Sequence, residues 1–253
     1  MTLTRSKVPE VTLTFWVLKI AATTLGETGG DAVSMTLNLG YLVGTAIFAA
    51  AFLVLAAAQI RAKSFHAPLY WAVIVATTTV GTTMADFADR SLGIGYTGGA
   101  SILFALVLVS LLIWWRTEGT VSVNTVTTPR AEAFYWVTIL FSNTLGTALG
   151  DWAADDGGLG FEGGALVFGA AIALIAIVYY TTSLSRTLLF WAAFILTRPL
   201  GATLGDLLTK PVADGGLHLG RFASTGVIAV FIIACIAILP QRAGNHPGQQ
   251  SAS

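Results

Sequence analysis

The sequence predicts an all-α, polytopic membrane protein with eight transmembrane helices, built as four parallel two-helix repeats that pair into two halves of four helices. Hydrophobic residues make up 55% of the 253 and charged residues only 10%, where a soluble domain carries about 25% charged residues. Eight segments approach the roughly 20 apolar residues that a helix needs to cross a bilayer. Tryptophan, glycine and aspartate also recur at one spacing in four places.

The expected spans are residues 11–30, 37–60, 69–86, 100–115, 132–150, 164–180, 187–206 and 222–240. The first follows a basic start, Met1 to Lys7, and has the look of a signal peptide, but it carries the repeated pattern and is read as retained. The first, third, fifth and seventh open on Phe15-Trp16, Tyr70-Trp71, Tyr135-Trp136 and Phe190-Trp191 and end on an aspartate. The second, fourth, sixth and eighth begin near Gly40, Gly95, Gly160 and Gly220; the fourth closes on Trp114-Trp115 and the sixth on Tyr179-Tyr180. Residues 11–240 form one membrane domain, with repeats at about 15–66, 70–130, 135–186 and 190–240. Tails 1–10 and 241–253 flank it, and no stretch is left for a soluble domain.

Counted from each tryptophan, glycine stands at +10 (Gly26, Gly81, Gly146, Gly201) and a small residue at +14 (Gly30, Ala85, Gly150, Gly205). At +15 stands an aspartate in every copy: Asp31, Asp86, Asp151 and Asp206. Tryptophan spacings of 55, 65 and 55 pair the copies into halves offset by 120 residues. All units enter in the same direction, so no inverted repeat is visible. On these residues, from about Phe15 to Leu239, the chain resembles a family of bacterial membrane proteins of unknown function built from four tandem repeats, each with two transmembrane segments and a tryptophan. The resemblance implies architecture and no substrate.

An even number of spans puts both termini on one side, with Arg5, Lys7, Arg61, Lys63, Arg116, Arg130, Arg186 and Arg242. Only Arg90, Lys210 and Arg221 fall opposite, so the termini are expected in the cytoplasm of a bacterial inner membrane. Ten of the thirteen acids gather at the outer helix ends. The tryptophans are expected to anchor at the headgroup level, and the small-residue pairs to let helices approach closely.

The stripe at +4, +8, +11 and +15 spans about 40° of a helix. It reads Ile20-Thr24-Glu27-Asp31, Val75-Thr79-Thr82-Asp86, Leu140-Thr144-Thr147-Asp151 and Ile195-Pro199-Ala202-Asp206. A polar stripe is costly against lipid, so it should face the bundle interior. Lys19 and Arg198 stand near mid-helix, where a charge costs about 2.5–3.5 kcal/mol and must be paired or wet. The candidate ion- or substrate-binding residues are therefore Glu27, Asp31, Asp86, Asp151, Asp206, Lys19, Arg198, Thr24, Thr79 and Thr144. A metal, should one bind, would meet the four repeated aspartates. Each aspartate also reads as a helix terminator or cap, and the midplane cations as a structural ion pair.

Cys235 alone permits no internal disulfide, and His66, His218 and His246 lack helical metal spacing. Neither a catalytic motif nor a resident cofactor is expected, and zero net charge points to no nucleic acid. The leading expectation is a transporter or channel for a small charged solute, a hard cation or one coupled to protons, with a divalent metal ion as substrate. A non-transporting sensor or partner subunit, and an intramembrane enzyme of unfamiliar type, stay open. The partners are the lipid bilayer and the solute, with room for a second copy of the chain.

Overall fold

The computed structural model describes residues 6–244. Arg5, His246 and the outermost parts of both tails lie outside the described residues. Eight α-helices run in order: α1 (Leu13–Asp31), α2 (Gly40–Arg61), α3 (Ala67–Asp86), α4 (Tyr96–Glu118), α5 (Pro129–Ala154), α6 (Gly160–Thr181), α7 (Arg186–Thr209) and α8 (Arg221–Ile238). Several exceed the expected spans. Helix α4 runs from Gly95, at φ 75°, to the left-handed Gly119, because it continues past its apolar stretch to the glycines that stop it. Helix α5 starts where the Thr128 side chain accepts from the Ala131 N–H, three residues earlier than apolarity suggests. Helices α1 and α3 each continue into one π turn, Ala32–Thr36 and Phe87–Ser91.

Among the described residues, five helices, α2, α4, α6, α7 and α8, are long and apolar enough to cross a membrane. Polar inner faces explain why α1, α3 and α5 are not among them: Lys19 and Glu27 interrupt α1, Thr77-Thr78-Thr79 interrupts α3 and Ser142-Asn143-Thr144 interrupts α5. These three join α7 in a closed ring in which α1 packs on α3, α3 on α5, α5 on α7 and α7 back on α1. The other four lie outside, α2 on α3, α4 on α5, α6 on α7 and α8 on α1. Each outer helix thus covers the inner helix of the next unit, and the fourth unit closes on the first.

The +10 glycines set the spacing of this ring. A Cβ on Gly26 would strike Thr78, one on Gly81 would strike Asn143, one on Gly146 would strike Arg198, and one on Gly201 would strike Thr23. Each glycine therefore receives the +7 residue of the next unit. At +14, Gly30 receives Thr82, Gly150 receives Ala202 and Gly205 receives Glu27. Such close approach is how small residues bring helices together without a hydrophobic incentive.

The expectation that the repeated tryptophans anchor at a surface is corrected. Trp71, Trp136 and Trp191 are only 1%, 3% and 4% exposed, and Trp16 is half-buried. They alternate with Phe15, Tyr70, Tyr135 and Phe190 in a layer across the start of the inner helices. Its contacts run Phe15–Trp71, Tyr70–Trp136, Tyr135–Trp191 and Phe190–Phe15, with ring centroids 5.5–6.3 Å apart. Because the outer helices screen the inner ring, an aromatic at its edge finds another aromatic rather than a headgroup. Trp114 is buried as well, whereas Trp115 and Tyr180 at the ends of outer helices are exposed. Beneath this layer Ser6, Lys7 and Val8 are buried, and Lys7 Nζ donates to the carbonyls of Gln59, Ile60 and Ala62 and pairs with Glu132.

Candidate functional site

Four polar layers stack inside the ring above the aromatics, in the order of the helix register. Lys19 shares the first with Ile74, Ile139 and Phe194; the second holds Thr23, Thr78, Asn143 and Arg198. The third holds Glu27, Thr82, Thr147 and Ala202, and the fourth the repeated aspartates. Every one of these side chains is at most 4% exposed.

Arg198 ties α7 to the three other inner helices. Its Nη1 and Nη2 both donate to Glu27 Oε2 at 3.1 Å, and Nη2 also donates to Thr82 Oγ1 at 2.5 Å and Thr147 Oγ1 at 2.7 Å. The buried cation expected to need a partner has one in Glu27. Lys19 has none of its kind: its ammonium donates to Asn143 Oδ1 at 3.2 Å and lies 4.2 Å from the centre of the Phe194 ring. Asn143 Nδ2 donates in turn to Thr77 Oγ1, whose own proton goes to the Ile74 carbonyl, which fixes the amide with its oxygen toward Lys19.

The aspartates gather into two pairs, each bridged by a base that sequence reasoning left among the loop charges. Arg90 Nε reaches Asp86 Oδ1 at 3.0 Å while its Nη2 reaches Asp151 Oδ2 at 3.2 Å. Lys210 Nζ reaches Asp31 Oδ2 at 3.1 Å and Asp206 Oδ1 at 3.2 Å. Arg90 and Lys210 each follow their own aspartate by four residues and differ by the 120-residue half repeat, the signal that could have found them. Burial alone would lower the pKa of either base, but the facing carboxylates outweigh it and hold both above their ordinary values.

Oxygens of Glu27, Asp31 and Asp206 lie within 4.8 Å of one another, so the three-carboxylate group is this one rather than the four aspartates together. Thr24, Thr79 and Thr144 are buried beside the layers but spend their hydroxyls on the carbonyls of Ile20, Val75 and Leu140 in their own helices. Within the four layers, the hydroxyls that meet a charge are those of Thr82 and Thr147. Asp89, in the π turn, is buried against Gly99 with neither oxygen hydrogen-bonded, and burial pushes its pKa up to about 6.

A family profile described as Repeat of Unknown Function (DUF347) matches residues 14–65, 69–120, 134–185 and 189–241. The chain belongs to this repeat family. Each matched repeat holds one inner helix and the outer helix that follows it, the DUF347 unit being the same pair that the tryptophan register marks out. No match was found among curated proteins or among solved structures.

Chemically, the site offers carboxylate oxygens in a buried layer, each of the five acids facing a base from its own helix end or from a neighbouring helix. Such oxygens suit hard cations of the Mg²⁺, Mn²⁺ and Ca²⁺ class, and the ring supplies no thiolate or imidazole for a softer metal.

Proposed function

We propose that this DUF347 protein crosses a bacterial inner membrane eight times, with both termini in the cytoplasm, and moves a small hard cation through its inner ring. The observation that carries this reading is the fourth layer with Glu27 beneath it: five carboxylates, each 4% exposed or less, on the facing sides of four helices. Ionisable groups are expensive inside a membrane, and they collect where an ion path or a proton relay needs them. In this reading α1, α3 and α5 span the bilayer despite their polar faces, because the apolar outer helices screen them. The outer helices bury only 11–22% of their apolar stretches, against 72% for α7, as lipid-facing and core helices would.

A second reading is favoured by the ion pairs themselves. Each of the five acids faces a resident base within 3.3 Å, so the charges would also serve to lock the ring of a sensor or partner subunit. Flux measurement on the full chain in liposomes separates the two. The wild type is expected to pass Mg²⁺, Mn²⁺ or Ca²⁺, with or without counter-movement of protons, and the Asp31/Asp86/Asp151/Asp206→Asn variant to pass none at matched folded amounts. Absence of wild-type flux across a panel of cations and anions overturns transport and leaves the structural reading.

A further inference from the structure

The two aspartate pairs look alike by position and differ in chemistry. Arg90 is held through two different nitrogens and also lies 5.8 Å from the Tyr96 ring centre, so it cannot leave Asp86 without also breaking from Asp151 and the ring. Lys210 offers a single nitrogen to Asp31 and Asp206. Its backbone is fixed, the N–H donating to the Asp206 carbonyl at 2.8 Å and the carbonyl accepting from His218 N–H at 3.0 Å. What can move is the four-carbon side chain alone, and an ammonium is a compact point charge where a guanidinium is a rigid fork. The Lys210 pair also has a third carboxylate, Glu27, at the place where the other half has Thr147. The buried Oδ1 of Asp31 accepts no hydrogen bond, so one oxygen within the group still lacks a donor, as Asp86 Oδ2 does in the other pair. Arg221 stands at the rim, its Nε 3.6 Å from Asp31 and its side chain a quarter exposed.

Resting on the cation reading above, we propose that the Lys210 ammonium is a tethered stand-in for the transported ion. It occupies the Glu27–Asp31–Asp206 group in the state seen here and swings toward the outer rim when a divalent hard cation takes its place. Three carboxylates suit a divalent ion of the Mg²⁺ or Mn²⁺ class better than they suit one ammonium, because each contributes an anionic oxygen ligand to a hard cation. A tethered competitor also keeps the acids neutralised when the site is empty, which avoids leaving buried charges bare. Arg90 holds the other pair closed throughout, so one half of the ring binds and the other braces it.

The test uses the full chain in detergent or nanodiscs, with Mn²⁺ and Mg²⁺ as probes. Lysine acetylation followed by mass spectrometry on the wild type is expected to show Lys210 modified several-fold faster when Mn²⁺ is present, while exposed Lys63 at the opposite end is unchanged. In equilibrium binding, Lys210→Gln removes the tethered competitor and is expected to tighten Mn²⁺ binding by about tenfold, whereas Lys210→Arg weakens it by about tenfold. Mn²⁺ binding that leaves Lys210 labelling unchanged and is indifferent to both variants overturns the displacement while the cation reading stands. Failure of wild type and Lys210→Gln alike to bind either ion overturns both. Because the labelling is done on the wild type, a variant that fails to fold does not remove the test.

Discussion

The Glu27–Arg198 pair is the place where a double-mutant cycle is most informative. Arg198 presents two N–H groups to one oxygen at 3.1 Å, and the side chains are 0% and 4% exposed. At that separation, with an effective dielectric constant of about 20, the attraction is about 5 kcal/mol. Desolvation of two buried charges offsets much of it, so the net worth of the pair against an apolar replacement is small. Breaking it one-sidedly is another matter: Glu27→Gln leaves a guanidinium, and Arg198→Met leaves a carboxylate, uncompensated in the ring. Each is expected to cost about 3–5 kcal/mol, and the double variant far less than the two together. Chemical unfolding in mixed micelles, followed by tryptophan fluorescence, reads all four corners of the cycle; the buried Trp71, Trp136 and Trp191 report loss of the aromatic layer. A coupling energy below about 0.5 kcal/mol, within the usual additivity of independent sites, would refute the claim that these residues form one unit.

Substituting a +10 glycine should be costly in a way that a glycine with open space beside it is not. Gly201→Ala puts a methyl into Thr23 and should cost about 1–3 kcal/mol, while Gly169→Ala, with nothing within 4 Å of its added Cβ, should leave melting unchanged or raise it slightly. Equal melting temperatures for the two variants would count against the close-packed ring. Lys7→Met leaves Glu132 buried without its cation and should cost about 3 kcal/mol. It should also release the segment around Val8 to limited proteolysis, and a cleavage pattern identical to wild type would sink that assignment. Asp89 supplies a pH test. Its folded pKa of about 6 lies above the ordinary carboxylate value of 3.8, so its contribution to stability is full below about pH 4 and is lost as pH rises through about 6. Asp89→Asn should therefore be the more stable protein at pH 7.5, and its advantage should disappear by pH 4. A constant difference across that range would refute the titration.

The repeat register was legible because duplication prints the same residue at the same offset, so tryptophan, glycine and aspartate positions could be counted without knowing any contact. The inward turn of the acidic stripe was legible for a physical reason as well: lipid offers it no partner. What could not be read was which helix lies beside which. Outer helices such as α2 and α6 are apolar all round, and nothing in their composition says that each covers the next unit's inner helix rather than its own. That ambiguity also misplaced the tryptophans, since an amphipathic ring at a helix start suits a headgroup or a neighbouring aromatic equally well by type. The threonines show the limit of periodicity. Thr24, Thr79 and Thr144 fall on the polar stripe, yet a helical threonine can satisfy itself on the carbonyl four residues back, and these do.

Symmetry in this protein is broken in steps. Glycines at +10 and aspartates at +15 are common to all four units; a base four residues after the aspartate belongs only to the second unit of each half; Lys19, Glu27 and Arg198 occur once. Several of the charged and polar contacts cross one seam, that between α1 and α7. Glu27 meets Arg198 across it, Asp31 meets Lys210, Lys19 lies over Phe194, and the Thr23 hydroxyl reaches the Thr197 carbonyl at 3.1 Å. The other three seams of the ring join inner helices that follow one another through a single outer helix, so the chain itself limits how far they part. The α1–α7 seam has no such tether and is closed by α8 laid on α1 and by these side-chain contacts. Under the proposed cation reading, a ring that parts to admit an ion would part most cheaply where the covalent chain does not hold it. Charged contacts would then be a fitting closure under that reading, because an incoming cation could compete for their carboxylates in a way that it could not compete for packed methyl groups.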